Sequence, residues 1–322
     1  MKLIAPDYYA SFRCIAGRCR HSCCIGWEIG IDEETLGRYQ SIGGELGQRL
    51  RQNIDVTGEG ACFRLQGDEE RCPFLNERGL CDLILTLGED ALCQICTDHP
   101  RFRHFDLDRT EVGLGLCCEA AAQLILLQEE PTVLQAIADD GAVEETDPDE
   151  LALRHLRDEL FSLMQDRSRC AEERAEALCA FAGASLNDFD WQRWIPFLLK
   201  LERLDEHWAD QLLSIKDAPC GAPRLPHLQK PLEQLMVYFL YRHLHGALED
   251  GNARGRILLC ALMWLIVARL WEQHPQDIAE CARLCSSELE YSEDNIDALL
   301  SEIDSAFFAK NLQTGIAFSP EV

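Results

Sequence analysis

The chain has 322 residues, 47% of them hydrophobic and 27% charged, with a mean hydropathy of −0.16. That composition excludes a disordered or fibrous protein and suits one large domain or two ordinary ones. Thirty basic residues against 56 acidic give a net charge of −26, which speaks against nucleic acid or an anionic membrane as partner, since both demand basic surfaces.

The first seven residues, Met1-Lys2-Leu3-Ile4-Ala5-Pro6-Asp7, show no apolar core followed by small residues, so no signal peptide is expected and the chain reads as cytoplasmic. Trp27 to Asp32 alternates and predicts a short strand; Asp32 then caps a helix that starts at Glu33. Arg78-Gly79 predicts a turn between Leu75 and Leu80, and Glu119 to Leu127 a helix. No Lys or Arg occurs from Thr110 through Leu153, and residues 129–150 hold nine acids with Pro131, Gly141 and Pro148. That stretch predicts a solvated connection.

Helical spacing dominates after residue 150. Ala171 to Phe181 is one helix; Trp194, Phe197, Leu198, Leu201, Leu204 and Trp208 form one stripe over Trp191 to Leu213; Leu232 to Leu248 and Arg256 to Gln273 are strongly apolar. The uninterrupted apolar run from Ile257 to Ala268 is shorter than the about 20 residues a membrane span needs, so it predicts a buried helix. Ser292 caps a last helix. The expected fold is mainly α: an irregular Cys-rich metal-binding N-terminal module over 1–125, an acidic connection over 126–150, and a C-terminal helical domain over 151–322 on which the module packs.

The cysteines set the chemistry. Eleven of the 17 fall in the first 118 residues, at 14, 19, 23, 24, 62, 72, 81, 93, 96, 117 and 118. In a cytosolic chain such density means metal or redox thiols rather than disulfides. Short spacings bring several thiolates to one centre, either iron–sulfur or zinc. Cys23-Cys24 and Cys117-Cys118 are adjacent pairs whose side chains diverge in extended backbone, so one member of each can ligate while the other faces elsewhere. Cys19-x-x-x-Cys23 starts like the radical S-adenosylmethionine signature but meets Gly26 where the third cysteine belongs. Glu111-x-Gly113-x-Gly115 is a weak match to a nucleotide-binding loop, without the strand–helix alternation such a loop needs. His99, next to Pro100, is a further ligand candidate; His243 and His245 do not read as a metal site, and the tryptophans after 190 read as core.

The ordered motifs Pro6-Asp7-Tyr8-Tyr9, Phe12-x-Cys14, Cys19-x-x-x-Cys23-Cys24-x-Gly26-Trp27, Asp32, Cys72-Pro73-Phe74-Leu75-x-x-x-Gly79-Leu80-Cys81, Cys96-x-x-x-Pro100-Arg101 and Cys117 resemble the flagellin lysine N-methylase family. They also look like a distant cousin of the small CxxCxxCC-type iron- or zinc-chelating proteins. The resemblance covers roughly residues 6–125. It implies a cytoplasmic enzyme that transfers methyl groups from S-adenosylmethionine to lysines of flagellin and carries a [4Fe-4S] cluster. The metal residues it implies are Cys14, Cys19, Cys23, Cys24, Cys72, Cys81, Cys96 and Cys117, which are too many for one cluster. Lysine methylation needs a neutral amine and hence a proton acceptor; Tyr8, Tyr9, Glu28 and Asp32 flank the first cysteines and are the candidates. The alternative expectation is a non-catalytic zinc- or iron-binding protein with a structural or redox-sensing role.

Overall fold

The computed structural model describes residues 1–58, 60–141, 145–273, 275 and 277–308. The chain is mainly α with two small sheets. Its strands are β1 (Lys2–Pro6), β2 (Gly30–Ile31), β3 (Ile54–Thr57), β4 (Gly60–Phe63), β5 (Arg101–Phe105), β6 (Arg109–Leu114) and β7 (Leu134–Asp139). One sheet has the order β5-β6-β1-β7, with β1 parallel to β6 and antiparallel to β7. The other has the order β2-β4-β3.

The helices before residue 130 are short: α1 (Glu33–Ser41), α2 (Gly44–Gln52), α3 (Asp82–Leu87), α4 (Gln94–Asp98) and α5 (Glu119–Leu126). Those that follow are α6 (Pro148–Met164), α7 (Ala171–Phe181), α8 (Trp191–Leu198), α9 (His207–Ser214), α10 (Gln229–His243), α11 (Ala247–Asp250), α12 (Ala253–Gln273), α13 (Ile278–Leu289) and α14 (Glu293–Ile303). Their starts carry the expected chemistry. Asp147 accepts from the N–H of Asp149 with Pro148 in the first turn, and Ser292 accepts from Asn295. No helix among the described residues is long and apolar enough to cross a membrane.

Two apolar cores form. The larger is built around α12, buried without interruption from Ile257 to Leu270, and α10. The Trp264 indole N–H donates to the Leu232 carbonyl at 2.9 Å and pins the two helices together. This core also takes in Tyr8, Phe12, Leu114, Leu116 and α5, so it draws on residues from both sides of position 125. The smaller core holds Ile29, Tyr39, Leu50, Phe63, Phe74 and Leu83 together with Cys72 and Cys93. Tyr39, Phe63 and Phe74 stack in sequence at 6.0 and 5.1 Å.

Three expectations change in detail. The strand foreseen over Trp27 to Asp32 is only the two residues of β2. The stripe over Trp191 to Leu213 is two helices, α8 and α9, separated by irregular chain, with Pro196 near the end of α8 and Leu204 exposed. Within the acidic stretch, β7 lies against β1, its residues mostly exposed, as a sheet edge permits.

Candidate metal centre

The cysteines of the first 118 residues converge from loops and helix starts. The backbone N–H of Cys72 donates to the Cys24 carbonyl at 2.8 Å, which lays the 72–81 segment beside the first cysteine loop. Asn76 shapes the turn between Cys72 and Cys81: its side-chain oxygen accepts from the N–H groups of Arg78 (2.9 Å) and Leu80 (3.1 Å), and Gly79 takes φ +69°. Cys81, Cys93 and Cys118 occupy the residues just before α3, α4 and α5, where Ser or Asp would ordinarily cap. Burial raises the Cys81 and Cys118 thiols, and the backbone N–H groups at those helix starts oppose it.

The thiols fall into two groups. Cys24, Cys72, Cys81, Cys93 and Cys96 interact with one another beside the smaller core. Cys93 and Cys96 sulfurs lie 3.4 Å apart. Hydrogen bonds from the Cys23 and Cys72 thiols hold the Cys24 thiol well below its usual range and push those two donors up, and the Cys96 thiol is pushed up by its bond with Cys93. Burial pulls His99 down to about 4, so it is a neutral imidazole beside this group. The second group is Cys14, Cys19, Cys23 and Cys118, of which Cys14 and Cys23 are exposed. Among the described residues no three cysteine sulfurs lie within 4.8 Å of one another.

The pair Cys23–Cys24 does not diverge: the two thiols hydrogen-bond to each other, and Cys23 also neighbours Cys14 and Cys118. Cys118 faces the second group, while buried Cys117 turns to the Tyr291 hydroxyl and the Arg242 guanidinium; burial pushes its thiol up to about 12. Cys62 sits apart on β4, near Glu28 and Asp55.

The other candidates have visible structural roles. Asp32 accepts from Thr35 N–H through one oxygen and from Gln94 N–H through the other, both at 2.9 Å, which joins α1 to α4 and lowers its carboxyl. Tyr8 is buried in the larger core, and burial raises its hydroxyl far above ordinary phenol. Tyr9 is half-buried against the same core, and Glu28 is exposed. Glu111 to Leu114 lies in β6 rather than in a nucleotide loop. Glu111 is buried and paired with Arg157, a Cβ at Gly113 would enter the Phe102 ring, and one at Gly115 would fall on the Tyr291 hydroxyl. These glycines serve close packing. The acidic trio Asp106, Asp108 and Glu150 is engaged by Arg154, at 2.6 and 2.8 Å from the two aspartates. His243 and His245 each bind a carboxylate, Glu290 at 2.6 Å and Asp106 at 2.8 Å.

Ionic and aromatic contacts cross between the two cores. Arg20 binds Glu119 at 2.9 Å and Asp277 at 3.2 Å, and His21 lies 3.0 Å from Glu280. Trp27 stands edge-on between His99 and Tyr291, 5.6 Å from each. Glu119 follows directly on a cysteine at a helix start, which is a signal the sequence carried; Tyr291 and Arg242 lie far downstream with no motif to mark them.

No protein-family model matches the chain, and no solved structure is similar to it. Among curated proteins, it is 30% identical over 129 residues to the lysine-N-methylases of Salmonella typhimurium strain LT2 and Salmonella choleraesuis strain SC-B67, covering 38% of this chain and 31% of each of theirs. The chain thus spans about a third of the length of those relatives. The flagellar biosynthetic protein FliU of Salmonella muenchen is also 30% identical over 129 residues, and there the match covers 75% of the relative. With three quarters of that relative covered, the chain belongs to the flagellin lysine N-methylase-like family of these proteins.

Proposed function

We propose that the chain is an S-adenosylmethionine-dependent protein lysine N-methyltransferase acting on flagellin, with an iron–sulfur cluster held by Cys24, Cys72, Cys81 and Cys96. The observation that carries the activity is kinship with proteins named lysine-N-methylase. The cluster reading is supported by the chemistry of the first cysteine group. The four thiols lie beside one apolar core, and N–H groups of Ile84 and Leu83 oppose the burial that raises the Cys81 thiol. Cys93, 3.4 Å from Cys96, is the spare thiol of this group.

When bound, such a cluster would offer the amino and carboxylate groups of S-adenosylmethionine a ligation point if one of these four thiols gave up its iron. The chain's own contribution is to hold that ligand set in a low-dielectric wall and to attract the substrate. A net charge of −26 favours a lysine-bearing surface, over a range of about 10 Å set by salt.

Anaerobic purification followed by iron, acid-labile sulfide and zinc determination tests the cluster, and incubation with S-adenosylmethionine and flagellin, read by peptide mass spectrometry, tests the activity. About four irons and four sulfides per chain are expected, with methylated lysines that vanish in Cys72→Ser. Zinc without sulfide, together with unmodified flagellin, would overturn the reading.

A further inference from the structure

Of the six tryptophans, Trp191, Trp194, Trp208 and Trp264 are fully buried and Trp271 packs against the larger core. Trp27 is half-buried and belongs to neither core. We propose that the Trp27 indole is a binding platform for an onium cation beside the first cysteine group, either the sulfonium of S-adenosylmethionine or the ε-ammonium of a substrate lysine. The identity of that cation rests on the methyltransferase reading; the platform itself rests on the surroundings of the ring.

An indole is a large apolar surface that folding ordinarily buries in a core or an interface. Here the ring is held rigid without being covered. Its Nε1–H donates to the Cys23 carbonyl at 3.1 Å. His99 and Tyr291 brace it at 5.6 Å each, their planes inclined 79° and 69° to the indole. Neither brace therefore lies flat on the ring, and among the described residues no guanidinium sits over its face. Gly26, immediately before it, has open space where a Cβ would stand, which leaves room beside the indole.

Position and charge suit a reacting cation. Trp27 follows Cys24 by three residues, so their Cα atoms are no more than about 11 Å apart. His99 follows Cys96 by three, and its N–H donates to the Ile95 carbonyl at 3.1 Å, which ties this brace to the same group. Exposed Glu28 adds a carboxylate next to the ring. Arg242 lies over the Tyr291 ring at 4.8 Å, and its charge is met by Glu290 at 3.2 Å. A tryptophan face attracts a cation through the ring quadrupole, more strongly where water is partly excluded. The methyl donor loses its charge when it gives up its methyl group, so such a face would hold the donor more tightly than the thioether left behind.

Choline, with 3,3-dimethyl-1-butanol as its uncharged isostere, probes the face without any need for activity. Saturation-transfer NMR on anaerobic full-length protein should show choline contacts in wild type that are lost in Trp27→Leu and kept in part in Trp27→Phe. The alcohol should show little difference among the three. Calorimetry and kinetics then separate the two sources of cation. If the sulfonium is the ligand, Trp27→Leu weakens S-adenosylmethionine by about 3- to 20-fold and leaves S-adenosylhomocysteine unchanged. If the ammonium is the ligand, that selectivity stays and KM for a lysine-bearing flagellin peptide rises by the same factor. A merely structural indole would weaken donor and thioether alike. Equal choline signals in wild type and Trp27→Leu, or equal losses of the two adenosyl compounds with KM for the peptide unchanged, would overturn the platform. Choline contacts that depend on Trp27 in a protein that neither binds S-adenosylmethionine nor methylates flagellin would keep the platform and end the methyltransferase reading.

Discussion

Gly115 offers the sharpest test of how the cysteine region locks onto the helical core. It is buried, and its φ lies outside the left-handed region, so an alanine there meets no backbone objection. The added Cβ would fall on the Tyr291 hydroxyl, 3.2 Å from Tyr291 Cζ and 3.3 Å from Arg242 Nη1. Overpacking of this kind costs about 1–3 kcal/mol, against a gain of about 0.4–1 kcal/mol from a stiffer unfolded chain. Gly115→Ala should therefore destabilise by about 1–2 kcal/mol in urea titration. Tyr291→Phe removes both the obstructing oxygen and its hydrogen bond with Cys117, costing about 1 kcal/mol alone. In the double variant the clash is relieved, so the combined loss should fall short of the sum by about 1 kcal/mol or more. Gly37→Ala, on the exposed face of α1 with open space around it, should instead stabilise by up to about 1 kcal/mol. Additive losses for Gly115→Ala and Tyr291→Phe would refute the packing argument.

Glu233 is fully buried between Arg174 at 2.6 Å and Arg167 at 2.9 Å. Glu233→Ala strands the buried Arg174 charge and should cost about 3–5 kcal/mol in a denaturant titration; a loss under 1 kcal/mol would show the pair is not needed. Burial raises Glu288 to about 6 from an ordinary 4.5, although N–H groups of Leu204 and Asp205 favour its charged form. The folded value is the higher one, so its contribution is fully present below pH 4.5 and is lost as pH rises through about 6. Wild type should lose up to about 2 kcal/mol across that window relative to Glu288→Gln, and parallel stability curves would contradict this. Exposed Cys14, Cys23 and Cys220 should alkylate first in metal-free protein, with buried Cys260 and Cys285 inert. Isotope-coded labelling measures the order, and equal labelling of Cys220 and Cys260 would contradict it.

Much of the helical half was legible because its signals are local. Ser292 and Asp32 cap where they stand, and Ala171–Phe181 and the apolar run of α12 state their own burial. The β5-β6-β1-β7 sheet was not legible, because β1 finds its partners only at Arg109 and beyond, and β7 is an exposed edge without an apolar face. Pattern reading joined α8 to α9 because the apolar spacing continues through a break that only packing reveals. At the candidate site, spacing marked the cysteines but could not divide them. For Cys117 the surroundings are set by Tyr291 and Arg242, and for Cys19 by Glu119, positions that no cysteine spacing encodes. Cys93 and Cys118, outside the eight cysteines the resemblance implies, each stand at the start of a helix.

The position of β1 also orders events during synthesis. Its neighbours β6 and β7 lie beyond the cysteines of positions 14 to 96, so Lys2–Pro6 leaves the ribosome without a partner and the sheet is completed only when residues up to Asp139 are made. At 5–20 residues per second that delay is on the order of ten seconds. In that interval the cysteines of positions 14 to 96 are already exposed to the cell, whereas Cys118 and α5 arrive only as the sheet closes. The contact of the 19–23 segment with α5, through Arg20 and Glu119, therefore forms only after the first cysteines have been made.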